Sequence, residues 1–174
     1  MNQNQQPEVW LRGPIPHIPS LLQPVAHALM QAVEELAAFS SIFPADLLWE
    51  KPSGLASVGF HLKHLSGVLD RLFTYARAES LNESQLDYLK NEGSPGSGND
   101  TYESLLFTFE KQVAVSLQQL QTTPESELTQ VRYVGRAMIP STQLGLLFHA
   151  AEHTQRHVGQ LLVTARILLA RDGK

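Results

Sequence analysis

The 174-residue chain contains no cysteine, which excludes disulfides, thiolate nucleophiles and cysteine-ligated zinc. It also lacks any cluster of lysine and arginine, and its 13 Lys+Arg against 17 Asp+Glu leave a formal net charge of −4. Nucleic-acid binding normally rests on a basic stripe that neutralises phosphates, so no nucleic-acid partner is expected. No apolar run approaches the roughly 20 residues of a membrane span. The opening "MNQNQQPEVW" has neither the basic nor the apolar stretch of a secretory signal. A soluble, cytoplasmic protein with no membrane partner is the expectation. What is present, 43% hydrophobic and 17% charged residues, is an ordinary globular composition. It reads as one domain over residues 1–174, with a Pro-rich lead-in at 1–19 and a flexible loop at 91–100.

Apolar residues recur at helical spacing along most of the chain. Leu22, Val25, Leu29, Val33 and Leu36 form a first stripe, with Pro24 acceptable only in a first turn, and the helix is expected to end near Ser41. Val58, Leu62, Leu65, Leu69, Leu72 and Ala76 form a second, beginning behind Ser57 and ending near Glu79. Asn82 and Gln85 have the spacing of a capping box for a short helix, and Asp100 with Glu103 offers the next cap. Leu105, Phe109, Val113, Leu117 and Leu120 make a third stripe, and Phe73, Phe107 and Phe109 are expected in the core. A short helix is expected with Pro124 at its first position. "QVRYVGRAMIPST" reads as an irregular or weakly extended crossover turning at Gly135. Ser141 or Thr142 then caps a last helix running to about Ala170. Four long helices joined by one long crossover predict an all-α four-helix bundle.

The chemistry concentrates in "FHAAEHTQRHVGQ", Phe148 to Gln160, where His149, His153 and His157 stand four residues apart. On a helix whose apolar stripe is Leu147, Ala151, Val158, Leu161, Ala165 and Leu168, His157 lies about 70° from the stripe's centre, His153 about 110° and His149 about 150°. His157 and His153 therefore point at the edge of the bundle and His149 points outward. Side chains at i and i+4 lie one above the other, so two imidazoles can share an ion. "FHLKHL" adds His61 and His64 near the start of the second helix. Two imidazoles from one helix and one from a facing helix leave open positions for water or substrate, the pattern of a catalytic site. Periodicity alone favours His61, about 60° from its stripe, over His64 at about 120°. The Glu that follows the first histidine in zinc proteases is absent here, which argues against peptide hydrolysis. Gly159, inside a helix, suggests close approach by a neighbour. Gln160 could either orient an imidazole or serve as a packing group. Glu152 and Arg156 can pair on the helix surface, and Tyr133 and Arg136 could reach a bound substrate.

"GFHLKHLSGVLDRLFTYA" together with "HAAEHTQRHVGQLL" resembles the DinB, or DinB/YfiT-like, superfamily over about residues 24–170. The resemblance implies a four-helix bundle, often a homodimer, whose three histidines bind a divalent metal at one end. Matched motif by motif, the ligands would be His64, before "LSGVLDRL", His157 of the HxGQ motif, and His153 four residues earlier. His61 stands in reserve, and His149 is expected at the surface. Zinc or nickel is expected first, with iron or manganese also compatible. The resemblance further implies a transferase or isomerase that uses a low-molecular-weight thiol such as bacillithiol or mycothiol against an electrophile. With no cysteine in the chain, the thiolate would come from the cosubstrate. The alternative is a non-catalytic metal-binding stress-response protein or structural dimer.

Overall fold

A computed structural model describes residues 6–96, 98 and 100–173. The described residues form five α-helices: α1 (Gln23–Ala37), α2 (Val58–Ala76), α3 (Glu83–Asn91), α4 (Tyr102–Thr122) and α5 (Gln143–Arg171). Two short strands, β1 (Val131–Val134) and β2 (Ile139–Thr142), precede the last helix. α1 and α2 each pack against both α4 and α5 and so occupy opposite corners of a four-helix bundle. Tyr102 Oη donates to Leu36 O, which sets the start of α4 against the end of α1. Gln119 Nε2 donates to Phe73 O, setting the end of α4 against the end of α2. Gln155 bonds to Ala28, and Arg166 lies over the Phe39 ring, so α5 runs parallel to α1.

The long helices therefore run up, down, down, up. Because α2 and α4 are parallel, the chain must travel back along the bundle between them, and the segment carrying α3 does so. This is the long crossover. The stretch expected to be the crossover, 130–142, is instead an antiparallel hairpin with Val131 opposite Thr142 and Val134 opposite Ile139. Gly135, at φ +65°, begins its turn, and Arg132 Nε donates to Ala76 O to pin the hairpin to the far end of α2.

Side-chain caps define the helix starts. Ser57 Oγ accepts from Phe60 N, and Asn82 with Gln85 forms a complete capping box. At α4 the cap is Thr101 with Ser104, not Asp100 with Glu103. The Asp100 carboxylate instead accepts from Gly96 N within the loop. Thr142, rather than Ser141, caps α5. α1 ends at Ala37, before Ser41, and Pro124 precedes a single 3-10 turn (Glu125–Glu127) instead of entering it.

Leu29, Leu36, Leu62, Leu65, Leu69, Phe109, Leu147, Val158 and Leu161 are fully buried between the four long helices, as their spacing predicts. Phe73 is buried with them, but Phe107 is 55% exposed. Two residues from Leu105 and from Phe109, it is about 200° round the helix from both and so faces outward. α3 packs on α2 where Gly67 leaves room for the Tyr88 ring: a Cβ there would stand 2.8 Å from it. Among the described residues no helix is long and apolar enough to cross a membrane.

Candidate metal centre

The antiparallel contact of α2 with α5 assembles the histidines. Each helix rises about 1.5 Å per residue, so the three-residue step from His61 to His64 roughly matches the four-residue step from His157 back to His153. His61 Nδ1 lies 3.0 Å from His157 Nδ1, and His64 Nε2 lies 3.0 Å from His153 Nε2. The His64 and His153 rings are centred 4.4 Å and 4.5 Å from that of His157. One nitrogen from each of His64, His153 and His157 falls in a group whose members all lie within 4.8 Å of one another. These are the three residues that the motifs indicate.

The other two histidines of the clusters part ways. His61, the choice of periodicity, is the deeper of the α2 pair at 3% exposure and faces His157. His64 stands on the border of the stripe, which is what lets its ring reach the triad. His149 is exposed and bonds to Glu152 at 2.7 Å. It forms with Glu152 and His153 a second, more open group of donors, but the Glu152 carboxylate is also engaged by Arg156 at 2.6 Å.

Two further participants, Glu92 and Arg71, are not picked out by the histidine motifs. Glu92, in the turn that ends α3, places Oε1 2.8 Å from His64 Nδ1, while its Oε2 lies 3.2 Å from Arg71 Nη1. Arg71 is seven residues beyond His64 and therefore on the same face of α2, which the helical period could have revealed. Glu92 comes from a loop 28 positions away and only the crossover brings it in. Phe60 completes the surround by stacking on His64, with ring centres 5.3 Å apart.

Burial lowers the pKa of His61 to about 4, and repulsion from a charged His64 adds to it. His157 is likewise pushed down to about 4, by burial and then by His64, His153 and His61. His153 is lowered for the same reasons. All three rings are thus neutral near pH 7, the form that ligates a metal. For Glu92, burial acts to raise the pKa, but the His64 hydrogen bond and the Arg71 charge outweigh it and hold the carboxyl below its usual range.

The residues fit a divalent ion. Nitrogens about 2.0–2.1 Å from a tetrahedral ion stand roughly 3.3–3.5 Å apart, a spacing inside the span of the observed cluster. The donor set itself, three imidazole nitrogens, suits a divalent transition ion. His153 Nδ1, the ring nitrogen other than the one facing His64, is buried with no hydrogen-bond partner among the described residues. A family model for the DinB superfamily matches residues 20–161. The chain belongs to the DinB superfamily. That match spans the bundle from before α1 into α5 and takes in His61, His64, Glu92, His153 and His157. No curated protein matches the chain.

In this DinB protein a groove of about 490 Å³ opens beside the histidines, with His61 as a shared wall and Leu55, Gly159, Gln160 and Val163 among its lining. Gln160 is exposed there and makes no hydrogen bond to an imidazole among the described residues. A Cβ on Gly159 would meet nothing within 4 Å, so no described neighbour explains the glycine. Tyr133 and Arg136 line a separate cavity at the hairpin. The hairpin is anchored at Ala76, twelve residues or about 18 Å along α2 from His64, so they lie away from the centre.

Proposed function

We propose that the protein is a metal-dependent transferase in which His64, His153 and His157 hold a divalent ion and a low-molecular-weight thiol attacks an electrophile. The observation that carries the reading is the incomplete ligand set. The imidazoles of His64, His153 and His157 converge, while the Glu92 carboxylate is turned to the outer nitrogen of His64 and that of Glu152 is engaged by His149 and Arg156. Structural sites generally close all four positions with protein groups, whereas catalytic ones keep a position open. Zinc or nickel is the first expectation for an all-imidazole site, with iron and manganese as alternatives.

When bound, such an ion would lower the pKa of a thiol sulfur and present it as a thiolate. The chain supplies no sulfur, so the thiol is a cosubstrate. Its proton leaves to solvent, the sulfur lone pair forms the bond to the electrophilic carbon, and the leaving group departs with its bonding electrons. The protein's part is to keep His153 and His157 neutral by burial and to exclude water on the side closed by Phe60 and the buried His61. The largely apolar groove behind His61 is suited to the body of the electrophile. A homodimer belongs to the same proposal, supported by Val163 and Ile167, which stand exposed one turn apart on α5.

The test is elemental mass spectrometry on protein purified without a polyhistidine tag, followed by assay of the metal-loaded protein. Bacillithiol, mycothiol, glutathione and cysteine would be offered with 1-chloro-2,4-dinitrobenzene and monochlorobimane. Near-stoichiometric metal with thiol-dependent turnover supports the transferase. Metal without turnover for any pair leaves a non-catalytic metal protein, and no metal after loading ends the reading altogether.

A further inference from the structure

His64 can offer Nε2 to an ion only if its single proton sits on Nδ1. That nitrogen lies 2.8 Å from Glu92 Oε1, and an ionised carboxylate only accepts, so the shared hydrogen belongs to His64 Nδ1. Nε2 is then left as a lone pair facing His153. The carboxylate cannot rotate away, because Arg71 Nη1 holds its other oxygen and both residues are buried. The turn carrying Glu92 is fixed in its own right. Lys63, next to His64, donates from Nζ to Asn91 O and Ser94 O at 3.0 Å each.

We propose that Glu92, braced by Arg71, is a positioning residue that locks His64 in the Nδ1–H tautomer and so couples the α2–α4 crossover to the metal centre. The coupling to metal rests on the proposed function; the tautomer does not. Carboxylates in this place raise the basicity of a ligand imidazole and orient its ring. Linkage is reciprocal: a metal held better when the turn is docked must in turn hold the turn more firmly. The amides around Gly93 and Ser94 should exchange more slowly once metal is added.

Two measurements separate the parts. In the metal-free protein at pH 8, long-range proton–nitrogen correlation spectra of the His64 ring should show the Nδ1–H pattern. Glu92→Gln should invert it. Arg71 can only donate, so it takes the amide oxygen and turns the amide nitrogen toward His64 Nδ1, which must then accept. An Nε2–H pattern in the wild type, or no change in Glu92→Gln, overturns the proposal whatever the metal does. In the second measurement, chelator competition with zinc should show Glu92→Gln roughly 10–100-fold weaker, with an altered visible spectrum of the cobalt-substituted protein. Lys63→Met loosens the same turn without touching His64 and should leave that spectrum unchanged. Equal effects of the two variants would make the turn mere scaffold and refute the assignment. A wild type that binds neither ion refutes the metal reading and the coupling to it, while the tautomer result still decides the role of Glu92.

Discussion

Acidification from pH 7 to pH 5 should destabilise the metal-free protein by about 2–3 kcal/mol, chiefly through His61 and His157. Both rings have pKa values near 4 in the folded protein, against an ordinary imidazole value of 6.5. As the pH falls through 6.5 the unfolded chain takes up protons on both rings, but the folded protein refuses them until about 4. The unfolded state therefore binds more protons across that window, and stability drops as the pH falls. Above 6.5 both states are neutral and the effect vanishes. At about 1.4 kcal/mol per pH unit, one fully shielded ring costs about 2 kcal/mol by pH 5 and two independent rings about 4. The two rings are in contact, and His157 is only partly buried, so solvent screening and shared protonation reduce the sum to the stated range. His153 acts in the same direction. Glu92 contributes little there, because its carboxyl sits below the ordinary range and titrates at lower pH. Urea unfolding at pH 7, 6 and 5 in the presence of chelator measures the quantity. His61→Leu should roughly halve the loss. A flat profile in the wild type, or an undiminished slope in His61→Leu, would refute the account of these rings as buried neutral bases.

Zinc at a hundred times its dissociation constant should stabilise the protein by about 2.7 kcal/mol, a rise in melting temperature of about 5–10 °C for a chain of this size. His64→Ala, His153→Ala or His157→Ala should each abolish that shift and His149→Ala should keep it; the reverse pattern would move the site to the second donor group. Gly159→Ala should stabilise the protein by about 1 kcal/mol, because the added Cβ meets open space; a lower melting temperature would show that something outside the chain approaches α5 there. Gly67→Ala should cost about 1–3 kcal/mol, since its Cβ would stand 2.7 Å from Arg71 Nη1 and 2.8 Å from the Tyr88 ring. Faster hydrogen exchange across α3 should accompany that loss, and unchanged protection would contradict the packing.

The helices were legible because each announces itself locally. The apolar stripes lie on single faces, and Ser57 and the Asn82–Gln85 pair cap the helices that they precede in sequence. The structure departs from the local signals where these had competitors. Asp100 and Thr101 are both good capping residues, and the loop decided between them by engaging the Asp100 carboxylate with Gly96. Phe107 is as hydrophobic as Phe109, yet its phase on the helix puts it outside. The parallel course of α2 and α4 could not be read from periodicity, because a stripe indicates which face is buried and not which way the next helix runs.

The sequence by itself determined the helices, the lack of any cysteine thiolate of the chain's own, and the HxxxH ladder whose period places His153 and His157 on one edge of α5. Those are consequences of residue type and spacing within one segment. Periodicity alone favoured His61 and only the motif resemblance named His64; the register of α2 against α5 is what groups His64 with His153 and His157 and sets His61 against His157. The tertiary structure alone brought Glu92 from a distant loop to the outer nitrogen of His64 and braced it with Arg71. Glu92 shares no helical spacing with His64 or Arg71. They meet because the crossover must return along the bundle, and burying a carboxylate on that path is tolerable only where a cation and a ring N–H are waiting for it.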